Sequence, residues 1–132
     1  MSEANQAEQR PYPGEAWTEI VRRLTLEEFA RAFALDVVLE ASVVSRPIVG
    51  PSGLWAFFQA TRAMYERIGF TLEFGTNART CLEWEGVFAG KPVAGATIIT
   101  RDERGAITSV RLYHRPFDQV VAFAETISRR LG

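Results

Sequence analysis

The chain has 132 residues, of which 47% are hydrophobic and 23% charged, with a formal net charge of -1. Those values match an ordinary soluble globular protein of one domain, and no apolar run approaches the roughly 20 residues needed to span a bilayer. The near-neutral balance gives no global attraction to phosphate backbones, although fourteen of the fifteen basic residues are arginine, so no nucleic-acid partner is expected.

Residues 1–14 end in PYPG and have no apolar period, and they read as a flexible N-terminal arm before a domain spanning 15–132. The opening MSEANQAEQR lacks the apolar core of an export signal, so a cytoplasmic protein is expected. The single cysteine, Cys81, can form neither an internal disulfide nor a multi-cysteine metal site, and reads as a buried strand residue.

Trp17, Ile20, Val21 and Leu24 follow the i, i+3, i+4, i+7 spacing of one helix face. Thr25 and Glu28 form a capping box, and Leu26, Phe29, Ala30 and Phe33 repeat the spacing in a second short helix. Val37, Val38, Val43 and Val44 favour a strand over 35–44, which the segment Arg46-Pro47 to Gly50-Pro51 ends. Pro51 suits the first turn of a long helix carrying Leu54, Phe57, Phe58, Thr61, Met64, Tyr65 and Ile68, with Gly69 placed to cap it.

From residue 70 to 115 the period becomes two. Phe70, Leu72 and Phe74 alternate with polar neighbours, as do Leu82 and Trp84. AGKP at 89–92 and DERG at 102–105 are turn signals, so this region reads as a meander of about four strands. Pro116 then starts a helix in which Phe117, Val120, Val121, Ala124, Ile127 and Leu131 share a face. The order α-α-β-α-β-β-β-β-α predicts an α+β fold, with a curved, mostly antiparallel sheet wrapped around helices. A sheet bent around its long helix leaves a cone-like cavity, the default place for a ligand.

FALDVVLEA at 33–41, RPIVGPSGLWAFF at 46–58 and ITRDERGAITSVRLYH at 99–114 resemble the nuclear transport factor 2-like superfamily, in its SnoaL-like and ketosteroid-isomerase-like branches. The resemblance covers roughly Glu15 to Arg115 and implies the cone-like, cystatin-type α+β roll. The isomerases of that group use a tyrosine on the first helix, a carboxylate base ending the first strand and a protonated aspartate on a later strand. The corresponding positions are Trp17, Ala41 and Thr97. The related polyketide cyclases use an acid on the last strand, where this chain has Leu112. None does its relative's job at full strength: Trp17 can donate only through its indole N–H, Thr97 offers only a hydroxyl, Ala41 cannot move a proton, and Leu112 leaves the cyclase chemistry unsupported.

Strand alternation puts Leu39, Ala41, Gly95, Thr97, Ile99, Val110, Leu112 and His114 on the cavity side. Trp17, Phe58, Met64 and Tyr65 could meet them from helices, and Trp84 from mid-sheet. The candidate ligand-binding set is therefore Trp17, Leu39, Ala41, Phe58, Tyr65, Trp84, Thr97, Ile99, Val110 and Leu112, which is largely apolar and aromatic. His114, the only histidine, is the candidate catalytic residue, able to act as base, acid or anchoring donor. The alternative is a structural histidine at a strand end beside Pro116. One histidine without neighbouring ligands makes no metal site, and no cofactor is expected.

Glu40 falls on the outer side, solvated or paired with arginine. Glu83 and Glu85 remain open, because the pattern allows either this pair or Leu82 and Trp84 to face inward. Arg22, Arg23, Arg129 and Arg130 read as solvated helix faces.

Three functions fit these residues. The first is an apolar pocket that binds a small hydrophobic molecule, in a homodimer with no membrane partner. The second is an isomerase, hydrolase or cyclase-type enzyme relying on His114, with Glu83 or Tyr65 as its partner. The third is a dimeric interaction module using outward apolar residues such as Trp55, Ile98 and Tyr113.

Overall fold

The computed structural model describes residues 12–132; most of the expected arm, residues 1–11, lies outside the described residues. Among the described residues four helices, α1 (Glu15–Val21), α2 (Leu26–Ala30), α3 (Pro51–Met64) and α4 (Phe117–Leu131), accompany six strands. The strands are β1 (Phe33–Ala41), β2 (Ile48–Val49), β3 (Arg67–Gly75), β4 (Arg79–Phe88), β5 (Lys91–Arg101) and β6 (Ile107–Arg115). They form one curved sheet in the order β2-β1-β6-β5-β4-β3. All neighbours are antiparallel except β1 and β6, which run parallel. The fold is the expected α+β roll.

Local chemistry explains most element boundaries. The Thr25 side chain caps α2 by accepting from the Glu28 amide at 3.1 Å. Pro51 opens α3, where its missing N–H costs no helical bond. Asp102 Oδ1 accepts from the amides of Arg104 and Ala106 at 2.9 and 3.0 Å, shaping the β5–β6 hairpin. The buried Gln119 side chain donates to the carbonyls of Phe88 and Lys91 at 2.8 and 3.0 Å, pinning α4 to the β4–β5 hairpin.

That hairpin turns through two residues, Ala89 and Gly90, both at positive φ (53° and 76°). This is the type I′ geometry that matches strand twist, and it favours Asn-Gly over Ala-Gly. Ala89→Asn is therefore expected to stabilise the fold by about 0.5–1 kcal/mol, read as a raised urea midpoint at unchanged slope.

Several sequence expectations shift. The first strand runs from 33 to 41, so Phe33 belongs to β1, while Val43 is buried in the turn that follows. Helix α1 ends at Val21 and leaves Leu24 exposed. Helix α3 ends at Met64; Ile68 and Gly69 lie in β3, paired with Gly86 and Glu85. Helical spacing let the apolar stripe continue through Ile68, but backbone pairing with β4 claims that segment. In α4 the buried stripe is Gln119, Phe123 and Ile127, whereas Phe117, Val121 and Leu131 are exposed. Cys81 is half-buried and pairs with Phe74 and Ile98 on the convex side.

Inside the curve, Val37, Leu39, Leu82, Trp84, Val93, Ile99, Val110 and Leu112 from the sheet are buried with Leu54, Phe57, Phe58 and Met64 of α3. The parity left open is thus resolved: Leu82 and Trp84 face inward, while Glu83 and Glu85 are exposed. Glu40 is exposed too, 3.4 Å from Arg111. Trp55 does not reach the sheet's outer face; it packs on Phe29 with ring centroids 5.2 Å apart.

Candidate functional site

A cavity of about 720 Å³ opens between α1, the C-terminal half of α3 and the sheet, with walls that include Trp17, Val21, Phe58, Thr61, Tyr65, Phe70, Trp84, Thr97 and Leu112. Tyr12, Pro13, Thr18, Arg22, Arg62, Ile68 and Gly69 complete the lining. Trp17 meets Phe58 edge-on at 5.3 Å, and Tyr65 meets Trp84 edge-on at 5.7 Å, so the aromatic wall is braced from both sides. The Gly14 amide donates to Glu73 Oε1 at 2.9 Å and ties the start of α1 to β3.

Of the candidate ligand-binding residues, the structure brings Trp17, Phe58, Tyr65, Trp84, Thr97 and Leu112 onto this one wall. The others lie elsewhere. Leu39 and Val110 pair side by side and are fully buried, because α3 lies against β1 and covers its inward side chains. Ala41 is half-buried beside Leu112 at the end of β1 and packs against the core. Ile99 lines a separate recess of about 330 Å³ with Trp17 and Leu82.

His114 does not line the main cavity. It is buried between sheet and α4, with Trp84 at 5.0 Å and Phe123 at 4.7 Å between ring centroids. Its Nε2 lies 2.7 Å from Tyr65 Oη, and its backbone amide donates to Ser42 Oγ at 2.9 Å. Nδ1 is buried with no hydrogen-bond partner among the described residues. Burial disfavours the imidazolium and pulls the pKa down to about 4, so the ring is neutral at pH 7. Burial also pushes the Tyr65 phenol well above its ordinary value.

The pair is thus a neutral hydrogen-bonded couple. Tyr65 belongs to both the couple and the cavity wall, whereas His114 lies behind that wall, against Tyr65 and Trp84. Glu83, the other partner considered, is on the exposed side of β4.

Gly95 makes this arrangement possible. It pairs with Trp84 on one side and His114 on the other, and a Cβ there would fall 2.4 Å from a Trp84 ring carbon. The missing side chain lets the indole and imidazole meet across β5.

No family model and no curated protein matches the sequence. Solved structures do match. A steroid delta-isomerase from Pseudomonas aeruginosa superposes with a TM-score of 0.78 at 19% identity, covering 88% of this chain and 86% of that one. A SnoaL-like family protein from Agrobacterium tumefaciens str. C58 gives 0.59 at 15% identity, over 78% and 94% of the two chains. An NTF-2 like protein of unknown function from Burkholderia xenovorans LB400 gives 0.58 at 15% identity, over 70% and 72%.

The fold is NTF2-like. Identities this low establish the architecture alone, so chemistry rests on the side chains present. In this NTF2-like cone the positions compared with the isomerase acids hold Trp17, Ala41 and Thr97, and Leu112 stands at the cyclase acid. No group of three or more His, Cys, Asp or Glu residues suited to a metal occurs among the described residues. No described helix is long and apolar enough to cross a membrane.

Residue-level sequence reasoning missed Thr18, Arg22, Arg62 and Phe70 as lining residues, and Phe123 as the ring under His114. Arg62 follows Thr61 on the long helix, and Thr61 was already in the apolar stripe. A polar residue flanking such a stripe near a helix end was the available signal.

Proposed function

We propose that the chain binds a small, mainly apolar molecule in the cavity between α1, α3 and the sheet. The observation that carries this reading is the aromatic wall of Trp17, Phe58, Tyr65 and Trp84 around about 720 Å³, a volume typical of small-molecule sites. The acids needed for the isomerase or cyclase reactions have no counterpart in the four compared positions, which favours binding over proton transfer.

A thermal-shift screen of apolar compounds against the full chain tests the proposal. A ligand present at about 100 times its Kd stabilises the native state by about 2.7 kcal/mol, so hits are expected to raise Tm by several degrees. A library that produces no shift, with Trp17 and Trp84 fluorescence unchanged throughout, would sink the reading.

One observation favours a second reading, an enzyme relying on His114: the 2.7 Å contact with Tyr65 meets the requirement for a polar partner. In that reading Tyr65 is the group that touches substrate and His114 positions its hydroxyl. The low imidazole pKa makes His114 a weak base at pH 7.

The homodimer belongs to the proposal as well. Leu72, Phe74 and Tyr113 are exposed apolar side chains on the convex side, a composition suited to self-association. Light scattering should report twice the chain mass.

A further inference from the structure

The charges on the cavity wall are one-sided. Arg22 and Arg62 line it, and among the described residues no aspartate or glutamate does. Three nearby carboxylates have other partners among the described residues: Glu19 takes Arg23 through both oxygens at 2.9 Å, Glu73 accepts from the Gly14 amide at 2.9 Å, and Glu66 accepts from the Gly90 amide at 2.6 Å, while Glu83 and Glu85 lie on the other side of β4. Glu15, in the first turn of α1, does not line the cavity. Neither Arg22 nor Arg62 pairs with a carboxylate among the described residues.

The two arginines also share a rim. Arg62 Nη1 donates to the Val21 carbonyl at 3.2 Å, which anchors this guanidinium beside the residue preceding Arg22. Its remaining N–H groups stay available, and a guanidinium held in place loses less freedom on gripping a second acceptor. Capping the end of α1 accounts for Arg62 alone. It does not account for a second arginine on a wall without any acid among the described residues.

We infer that the ligand is an amphipathic anion: an apolar monocarboxylate whose body lies against Trp17, Phe58 and Trp84 and whose carboxylate is held at the mouth by Arg22 and Arg62. This rests on the apolar-cavity reading and narrows it. Two guanidiniums on one cavity wall suit the planar, two-oxygen geometry of a carboxylate. The described wall holds no carboxylate to repel an anion.

The experiment uses matched acids and esters, decanoate with methyl decanoate and 4-phenylbutyrate with its methyl ester, titrated into the full chain and read by tryptophan fluorescence and calorimetry. Each acid is expected to bind about tenfold more tightly than its ester, the worth of one charge-assisted contact. Raising salt should weaken the acid and leave the ester unchanged.

In the Arg22→Gln/Arg62→Gln double variant the acid should fall to the affinity of its ester, which itself stays constant. Arg22→Gln alone, at a side chain without a hydrogen bond among the described residues, should remove part of the preference and covers the case in which the double variant fails to fold. Acid and ester binding equally well would overturn the carboxylate inference while leaving the apolar cavity standing. A preference that survives the substitutions would also overturn it. If neither member of either pair binds, both the inference and the cavity reading fall.

Discussion

Gly95→Ala is expected to destabilise the protein by about 3 kcal/mol, at the upper end of overpacking costs. The new Cβ would stand 2.0 Å from the Tyr113 carbonyl oxygen and 2.4 Å from the Trp84 ring. The carbonyl belongs to the neighbouring strand, and Gly95 is hydrogen-bonded between β4 and β6, so neither side can retreat without disturbing the ladder. Displacing Trp84 would also intrude on the cavity, so ligand-induced stabilisation should shrink in the same variant. Gly69→Ala is the control for fold stability alone, since Gly69 also lines the cavity: a Cβ there meets nothing within 4 Å and φ is not positive. A surface change of this kind is expected to stay within about 0.5 kcal/mol of the parent. Chemical denaturation of the two variants side by side checks both, and equal midpoints would refute the account of Gly95.

The second large effect is a pH dependence set by His114. Its pKa is about 4 in the folded protein against an ordinary 6.5. Between those values the unfolded chain takes up a proton that the folded one refuses. Stability is therefore full above pH 6.5, falls as the pH drops through the window, and has no further contribution from this group below about 4. The shift corresponds to about 3 kcal/mol. Carboxylates titrate near the lower end of the window, so the relevant quantity is the difference between the parent and His114→Gln across pH 4 to 7. The variant is expected to lack the fall between 6.5 and 5, where histidine dominates; parallel curves would show that the imidazole is not held neutral by burial.

The same histidine shows how far sequence could go. Its inward parity followed from Val110 and Leu112, since alternation along one strand is a short-range regularity, and the structure buries all three. Alternation also oriented Thr97 and Leu112. It could not tell cavity from core, because Leu39 and Val110 have the same inward parity as Leu112 yet lie where α3 fills the curve. That distinction depends on where a helix sits over the sheet, which no local period encodes.

The junctions were least legible. Met64, Tyr65 and Ile68 satisfy helical spacing, but residues 67–75 form an edge strand that is almost wholly exposed and so lacks a buried face to announce itself. In α4 several apolar side chains remain outside while Phe123 and Gln119 go in. Counting apolar residues therefore caught Val120, Ala124 and Ile127, which do face the core, but widened the stripe to the exposed Phe117, Val121 and Leu131. Arg22 looked like part of a solvated pair with Arg23, but only Arg23 has an acid four residues earlier to bind, and the neighbouring side chain turns to the cavity rim.

The parallel contact between β1 and β6 also bears on how the chain reaches this state. Their union joins segments far apart in sequence, as the Ser42–His114 hydrogen bond across 72 positions illustrates. Strands β3 to β6 can zip together through short hairpins, whereas β1 must wait for the last strand before it gains its central neighbour. High contact order of this kind slows folding, because loop closure is unfavourable until distant contacts form. On the ribosome, the first helices and β1 would emerge long before their partner. The early chain would then hold Phe29, Val37 and Leu39, all fully buried in the finished fold, without the strand that helps cover them.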